Sequence, residues 1–233
     1  MKELVDILII AFAAITNAGL QLGAGTLLLL YNESLGKKVR KSTRAVTRGF
    51  IVGAFLFSIL LVSAASLMIL LINSHPFGEN GLTVAAGALL AMSIVAIFLY
   101  YRSGKNTMLW IPDFVAKYFR KRAGKADTGA EGIALGMTTV LAELPFSLML
   151  IIVAANSLLN LPQAVIILAI ASYSLIVVMP LVIMKILIRN GKNLADIQRW
   201  RVKNKTFLKI FTGICYIALA AFVIAFKILK DLG

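Results

Sequence analysis

The run Gly132–Leu158, GIALGMTTVLAELPFSLMLIIVAANSL, is almost wholly apolar and holds a single ionisable side chain, Glu143. A helix needs roughly 20 apolar residues to cross a hydrocarbon core, and this run is longer than that. It lacks the apolar–polar alternation of a membrane β-strand. Working outward, five comparable runs appear: Val5–Tyr31, Val46–Ile72 and Leu82–Tyr101 before it, Pro162–Ile188 and Phe207–Ile228 after it. The sequence therefore predicts an all-α membrane protein with six transmembrane helices. The first run is expected to be a retained helix. It is longer than a signal-peptide core, and Glu3 and Asp6 stand where basic residues would be.

Composition agrees. Of 233 residues, 60% are hydrophobic and 15% charged, with a formal net charge of +14 and a mean hydropathy of +0.91. Soluble domains average about 45–50% apolar and about 25% charged. A water-soluble enzyme, a disordered chain and an ordinary nucleic-acid-binding domain are excluded. The single cysteine, Cys215, and single histidine, His75, argue against disulfide, cysteine–metal and histidine acid–base designs. No phosphate loop, dinucleotide fingerprint or nucleophile elbow is present, so neither a cofactor, a metal nor an enzyme activity is expected.

The excess charge is placed by connection. Of the 24 lysines and arginines, all but Lys2, Lys227 and Lys230 fall in or beside the first, third and fifth connections. The second, Asn73–Gly81, and the fourth, Ser157–Leu161, have none. Positive-inside bias puts the odd connections in the cytoplasm and both termini outside the cell membrane. Anionic lipid headgroups are the expected partners of these loops, and a homo-oligomer stays open.

The long third connection divides the chain into residues 1–101, a basic cytoplasmic segment 102–131 and residues 132–233. Three spans per half give the halves opposite orientation, the arrangement of an inverted repeat. Asn17-Ala-Gly-Leu-Gln21 can be laid on Glu143-Leu-Pro-Phe-Ser147: a polar residue, a helix disturber two positions on, then a second polar residue. Trp110, Phe114 and Tyr118, at i, i+4 and i+8, are expected to share one face of an interfacial helix in the third connection, and Asp196–Lys205, with Trp200, to form a shorter one.

Glu143 is the outstanding candidate, read as the only acid deep in a span. An ionisable residue there is functional by default, and a carboxyl can take and release a proton or a cation. Asn17 and Gln21, four apart on one face of span one, and Thr16 beside them, suit a polar or ionic solute or interhelical hydrogen bonds. Gly19, Pro145 and Pro180 are expected helix breaks or hinges, with a carbonyl freed near Ala142–Leu144. The four-residue glycine spacings Gly19/Gly23, Gly49/Gly53 and Gly132/Gly136 predict close helix packing. Asn156 and Asn160 read as helix-end or turn residues.

Asn17–Gly25 and Gly136–Phe146, on a six-span, 3+3 plan, resemble the LysE-type exporter superfamily and its CcdA/DsbD-like relatives. The resemblance implies an alternating-access scaffold with its site between spans one and four. The chain departs from the thiol-exchanging relatives: span one has no cysteine, Phe146 follows Pro145 where they carry a Pro-Cys pair, and Cys215 lies in span six. The expected function is a secondary transporter, an exporter of a small polar or ionic solute. The rival is a non-transporting scaffold or assembly factor acting through its basic loops.

Overall fold

The computed structural model describes the backbone of residues 2–35, 40–100, 122, 126, 128–190, 196, 199–200 and 203–228. Side chains 22–44, 99–100, 205 and 227–228 are not described within that set. The described chain is all-helical. Its helices are α1 (Lys2–Leu35), α2 (Arg40–Asn73), α3 (Glu79–Val95), α4 (Gly129–Leu158), α5 (Gln163–Arg189) and α6 (Lys205–Val223). All six contain stretches long and apolar enough to cross a membrane. The protein is a multi-pass membrane protein.

Two boundary features differ from the sequence reading. The first connection is much shorter than expected. Helix α2 begins at Arg40, so Arg40, Lys41, Arg44 and Arg48 ride on its opening turns rather than in a loop. In addition, α3 and α6 each end in one turn of π-helix, Ala96–Tyr100 and Ile224–Ile228. The interfacial stretch with Trp110, Phe114 and Tyr118 lies outside the described residues. Of the shorter one, Trp200 is exposed, and an exposed Arg199–Asp196 pair precedes it.

Local chemistry sets the ends. Thr128 caps α4 with a reciprocal box: its hydroxyl accepts from the Glu131 backbone, and the Glu131 carboxylate accepts from the Thr128 backbone. Two orphan amides are thus satisfied where the chain enters the membrane. At the other face, α2 stops as Ser74 takes φ 60°, its N–H donating to Leu70 O at 2.8 Å.

The bundle is ordered by polarity in the sense lipid demands. Large apolar side chains such as Leu71, Ile72, Val84 and Ile167 face outward, while Asn17, Gln21, Thr139, Glu143, Ser147 and Ser174 are buried. In hydrocarbon, polar groups must find partners inside the protein.

Helices α1 and α4 are antiparallel: Asp6 meets Asn160 and Gln21 meets Glu143. Helices α2 and α4 are parallel and in backbone contact. A Cβ on Gly49 or Gly53 would strike the carbonyl of Gly129 or Ile133, and one on Gly132 or Gly136 the carbonyl of Val46 or Phe50. The predicted close packing thus holds for two of the three glycine pairs, Gly49/Gly53 and Gly132/Gly136, which face each other; in the third, Gly23 lies outside the residues whose surroundings are described. Helices α1, α2, α4 and α5 form a ring, with α1 and α2 each packing on both α4 and α5; α3 and α6 pack on each other and against the α1–α4 side.

Candidate functional site

The ring's centre holds the polar residues. Gln21 of α1 donates its Nε2 to Glu143 Oε2 of α4, both side chains buried. One turn toward the N-terminus of α1, Asn17 Nδ2 donates to the hydroxyl of Tyr173 on α5 at 3.0 Å. Tyr173 is fully enclosed. Ser147, one turn from Glu143, is buried at the level of Asn17, because α1 and α4 run antiparallel. Ser174, beside Tyr173, is buried too. Tyr216 of α6 closes the cluster by donating its hydroxyl to Phe146 O at 2.6 Å.

Glu143 and Gln21 are therefore brought together, while Asn17, one turn from Gln21 on the same helix, bonds Tyr173 instead. Thr16 is not part of the constellation. It is buried, but its hydroxyl donates to Phe12 O on its own helix at 2.8 Å. Such i−4 bonding is the common fate of a hydroxyl inside a helix.

The expected breaks are absent in this conformation. Helices α1, α4 and α5 run through Gly19, Pro145 and Pro180 without interruption. The carbonyl deprived of its helical donor by Pro145 is that of Leu141, four residues back, not one in Ala142–Leu144. Leu141 lies on the exposed side of α4, so Pro145 does not bring a loosened carbonyl to the buried carboxyl. At Gly19 a Cβ would rest 3.4 Å from the Thr212 hydroxyl of α6, an ordinary van der Waals contact.

A second correction concerns Asp6. It is not a flanking residue but a second buried acid, 1% exposed. Asn160 donates to its carboxylate at 3.3 Å. Asn156, in the last turns of α4, accepts from the Phe77 amide at 2.6 Å, so the α2–α3 connection, α4 and α1 are tied together. Around them opens a cavity of about 310 Å³ lined by Lys2, Asp6, Glu79, Asn156, Asn160 and Phe226, among others. Asp6 to Asn17 spans ~16 Å of helix at 1.5 Å per residue. That interval is filled by buried Ile10, Ala13 and Ala14 of α1 and Leu150, Ile151 and Ala154 of α4. An apolar plug thus separates the cavity from the Glu143 cluster.

Tyr173, Ser174, Tyr216 and Asp6 were not assigned by sequence reasoning. The triplet Ser172-Tyr173-Ser174 marked a polar point in span five, but not the face it presents. Ser147 had a usable signal, being four residues from Glu143 on the same helix face.

Compared with family models, curated proteins and solved structures, the chain matches none. The Asn17–Tyr173 bond can be tested directly. Tyr173→Phe removes the acceptor and leaves a buried amide group without it, which costs about 1–3 kcal/mol. The thermal midpoint in detergent is expected to fall accordingly; an unchanged midpoint would show that the bond does not contribute to stability.

Proposed function

We propose that the protein is a secondary transporter of a small polar or ionic solute, working by alternating access with Glu143 as its proton- or cation-coupling carboxyl. The carrying observation is the buried Glu143–Gln21 pair, joining the first helix of one half to the first helix of the other and sealed from the cavity by the apolar plug. A buried carboxyl in a spanning helix is costly to keep, and its setting is that of a coupling site closed toward one face.

The inverted repeat belongs to this reading, and three observations support it. Exchange α1 with α4, α2 with α5 and α3 with α6, and the set of packed helices maps onto itself. The α2–α4 contact becomes α1–α5, α3–α4 becomes α6–α1, and α1–α2 becomes α4–α5; α1–α4, α2–α5 and α3–α6 map onto themselves. Both third helices end in a π-helical turn, and each turn packs against the opposite third helix. Of the matched polar pairs, Asn17 with Gln21 and Glu143 with Ser147, Gln21 and Glu143 bond across the α1–α4 seam. Transporter sites commonly sit at such repeat interfaces. In this reading the basic connections face the cytoplasm beside anionic headgroups. The termini and the Asp6 cavity then lie outside, and the protein exports its solute.

Reconstituted in liposomes, the protein is expected to move a solute from a panel of amino acids, amines and inorganic ions only when a proton or alkali-cation gradient is imposed. With Cys215→Ser as background, a cysteine at Ala154 is expected to react with an impermeant thiol reagent from the cavity side during turnover and not at rest. Flux without a gradient dependence, or no flux with every panel member, would overturn the proposal.

A further inference from the structure

Buried side-chain oxygens and nitrogens nearly always have hydrogen-bond partners. Among the described residues Gln21 Oε1, Ser147 Oγ and Ser174 Oγ have none. The three come from α1, α4 and α5: Gln21 bonds Glu143, Ser147 stands one turn from it on α4, and Ser174 adjoins Tyr173, which receives the Asn17 amide. Three other buried hydroxyls of the bundle behave differently. Ser58, Thr139 and Thr212 each donate to the carbonyl one turn back, at 2.8–2.9 Å. Ser147 and Ser174 leave that bond unmade, although their helices offer the same carbonyls.

We infer that the site holds a dehydrated monovalent alkali cation, bound by the Glu143 carboxylate, Gln21 Oε1, Ser147 Oγ and Ser174 Oγ. All four donors are hard oxygens, the ligand type of alkali and alkaline-earth cations rather than of soft metals. One carboxylate balances one positive charge. A divalent ion calls for more acid, and no group of three His, Cys, Asp or Glu side chains occurs among the described residues. A proton would engage the carboxyl and leave the three oxygens unexplained. The Gln21 amide is already oriented to bind the ion, since its Nε2 donates to Glu143 and its oxygen stays available. As the identity of the coupling ion, the inference rests on the transporter reading; as a binding site, it does not.

The test uses the full chain purified in detergent, with sodium titrated against choline at constant ionic strength. Radioactive sodium binding and the thermal midpoint are read together, and lithium and potassium serve as competitors. Saturable sodium binding that raises the midpoint is expected. Glu143→Gln should abolish it. Ser147→Ala should weaken it by at least the roughly tenfold that loss of even an outer-shell partner costs. Ser147→Thr, which keeps the hydroxyl, should retain binding even if the alanine variant folds poorly. Ser58→Ala, whose hydroxyl bonds its own helix, should bind as the parent does. No saturable binding of any of the three ions, or undiminished binding in Ser147→Ala and Ser174→Ala, overturns the inference. Flux that persists without alkali cations and stops without a proton gradient overturns it while sparing the transporter reading. Sodium binding without any flux has the opposite consequence.

Discussion

Replacing Gly136 with alanine is expected to force α2 and α4 apart, and to lower stability more than any other single-methyl change in the described bundle. The added Cβ would lie well inside the van der Waals envelope of Phe50 O, and close to Ala54 N and Phe50 C as well. These are backbone atoms of a packed helix, so no side-chain rotation relieves the clash. Gly53 faces Ile133 O and Gly132 faces Val46 O in the same way; the seam has no slack to absorb a shift at one position. Overpacking a tight core costs about 1–3 kcal/mol, occasionally more. Separating the helices also removes short Cα–H···O contacts worth ~0.5–1 kcal/mol each. The outcome is read as loss of the monodisperse peak after detergent extraction and a strongly lowered thermal midpoint. Gly87→Ala in α3 is the control. Nothing lies within 4 Å of a Cβ there, so the gain in helix propensity, about 0.5–1 kcal/mol, should leave it as stable or more so. Equal melting of the two variants would refute the close-packed seam.

That seam was legible in the sequence because glycine spacing on a helix is itself geometric. Gly49/Gly53 and Gly132/Gly136 repeat every four residues and so define one face each, whatever the rest of the helix does. The six spans were legible for a similar reason, since apolar length depends on nothing beyond the segment. Which face of a span is buried was not legible. A membrane helix is apolar toward lipid and toward its neighbours alike, so periodicity gave no sign that Tyr173 and Ser174 turn inward. Helix α5 shows its consequence: only its packing on α1 reveals that Tyr173 receives the Asn17 amide.

The polar residues divide along the same line. Glu143 could be singled out alone, because the cost of an acid in hydrocarbon does not depend on its partners. Pairing it with Gln21 required the antiparallel register of α1 and α4, which is a tertiary fact. Thr16 was grouped with Asn17 by adjacency, yet a hydroxyl can bond its own backbone and leave the cluster, whereas a carboxamide at that position reaches across to α5. Asp6 was read as a flank because it stands near the start of the span. The turn after α4 brings Asn160 beside it and encloses it. The π-helical ends of α3 and α6 have no local composition signal. Each packs against the opposite helix, where Gly213 makes room for Ile97.

Glu143→Gln is expected to abolish coupled flux and to leave the protein as stable as before, or more stable. The two shapes are nearly the same, and a glutamine oxygen still accepts from Gln21 Nε2, so the α1–α4 contact survives. What disappears is the charge and the ability to exchange a proton or a cation. A carboxylate buried in a spanning helix carries a desolvation penalty that a neutral amide does not. Removing that penalty favours the folded state, and functional groups held at such a cost commonly stabilise a protein when neutralised. In proteoliposomes, gradient-driven flux should fall to the level of protein-free vesicles, while extraction yield and elution profile stay unchanged. The thermal midpoint without alkali cations should hold or rise. A structural glutamic acid would give the opposite pattern: a lowered midpoint with flux reduced only in proportion to folded protein. Activity and stability moving in opposite directions is therefore the signature of a coupling carboxyl, and their falling together would return Glu143 to the role of an interhelical hydrogen-bond partner.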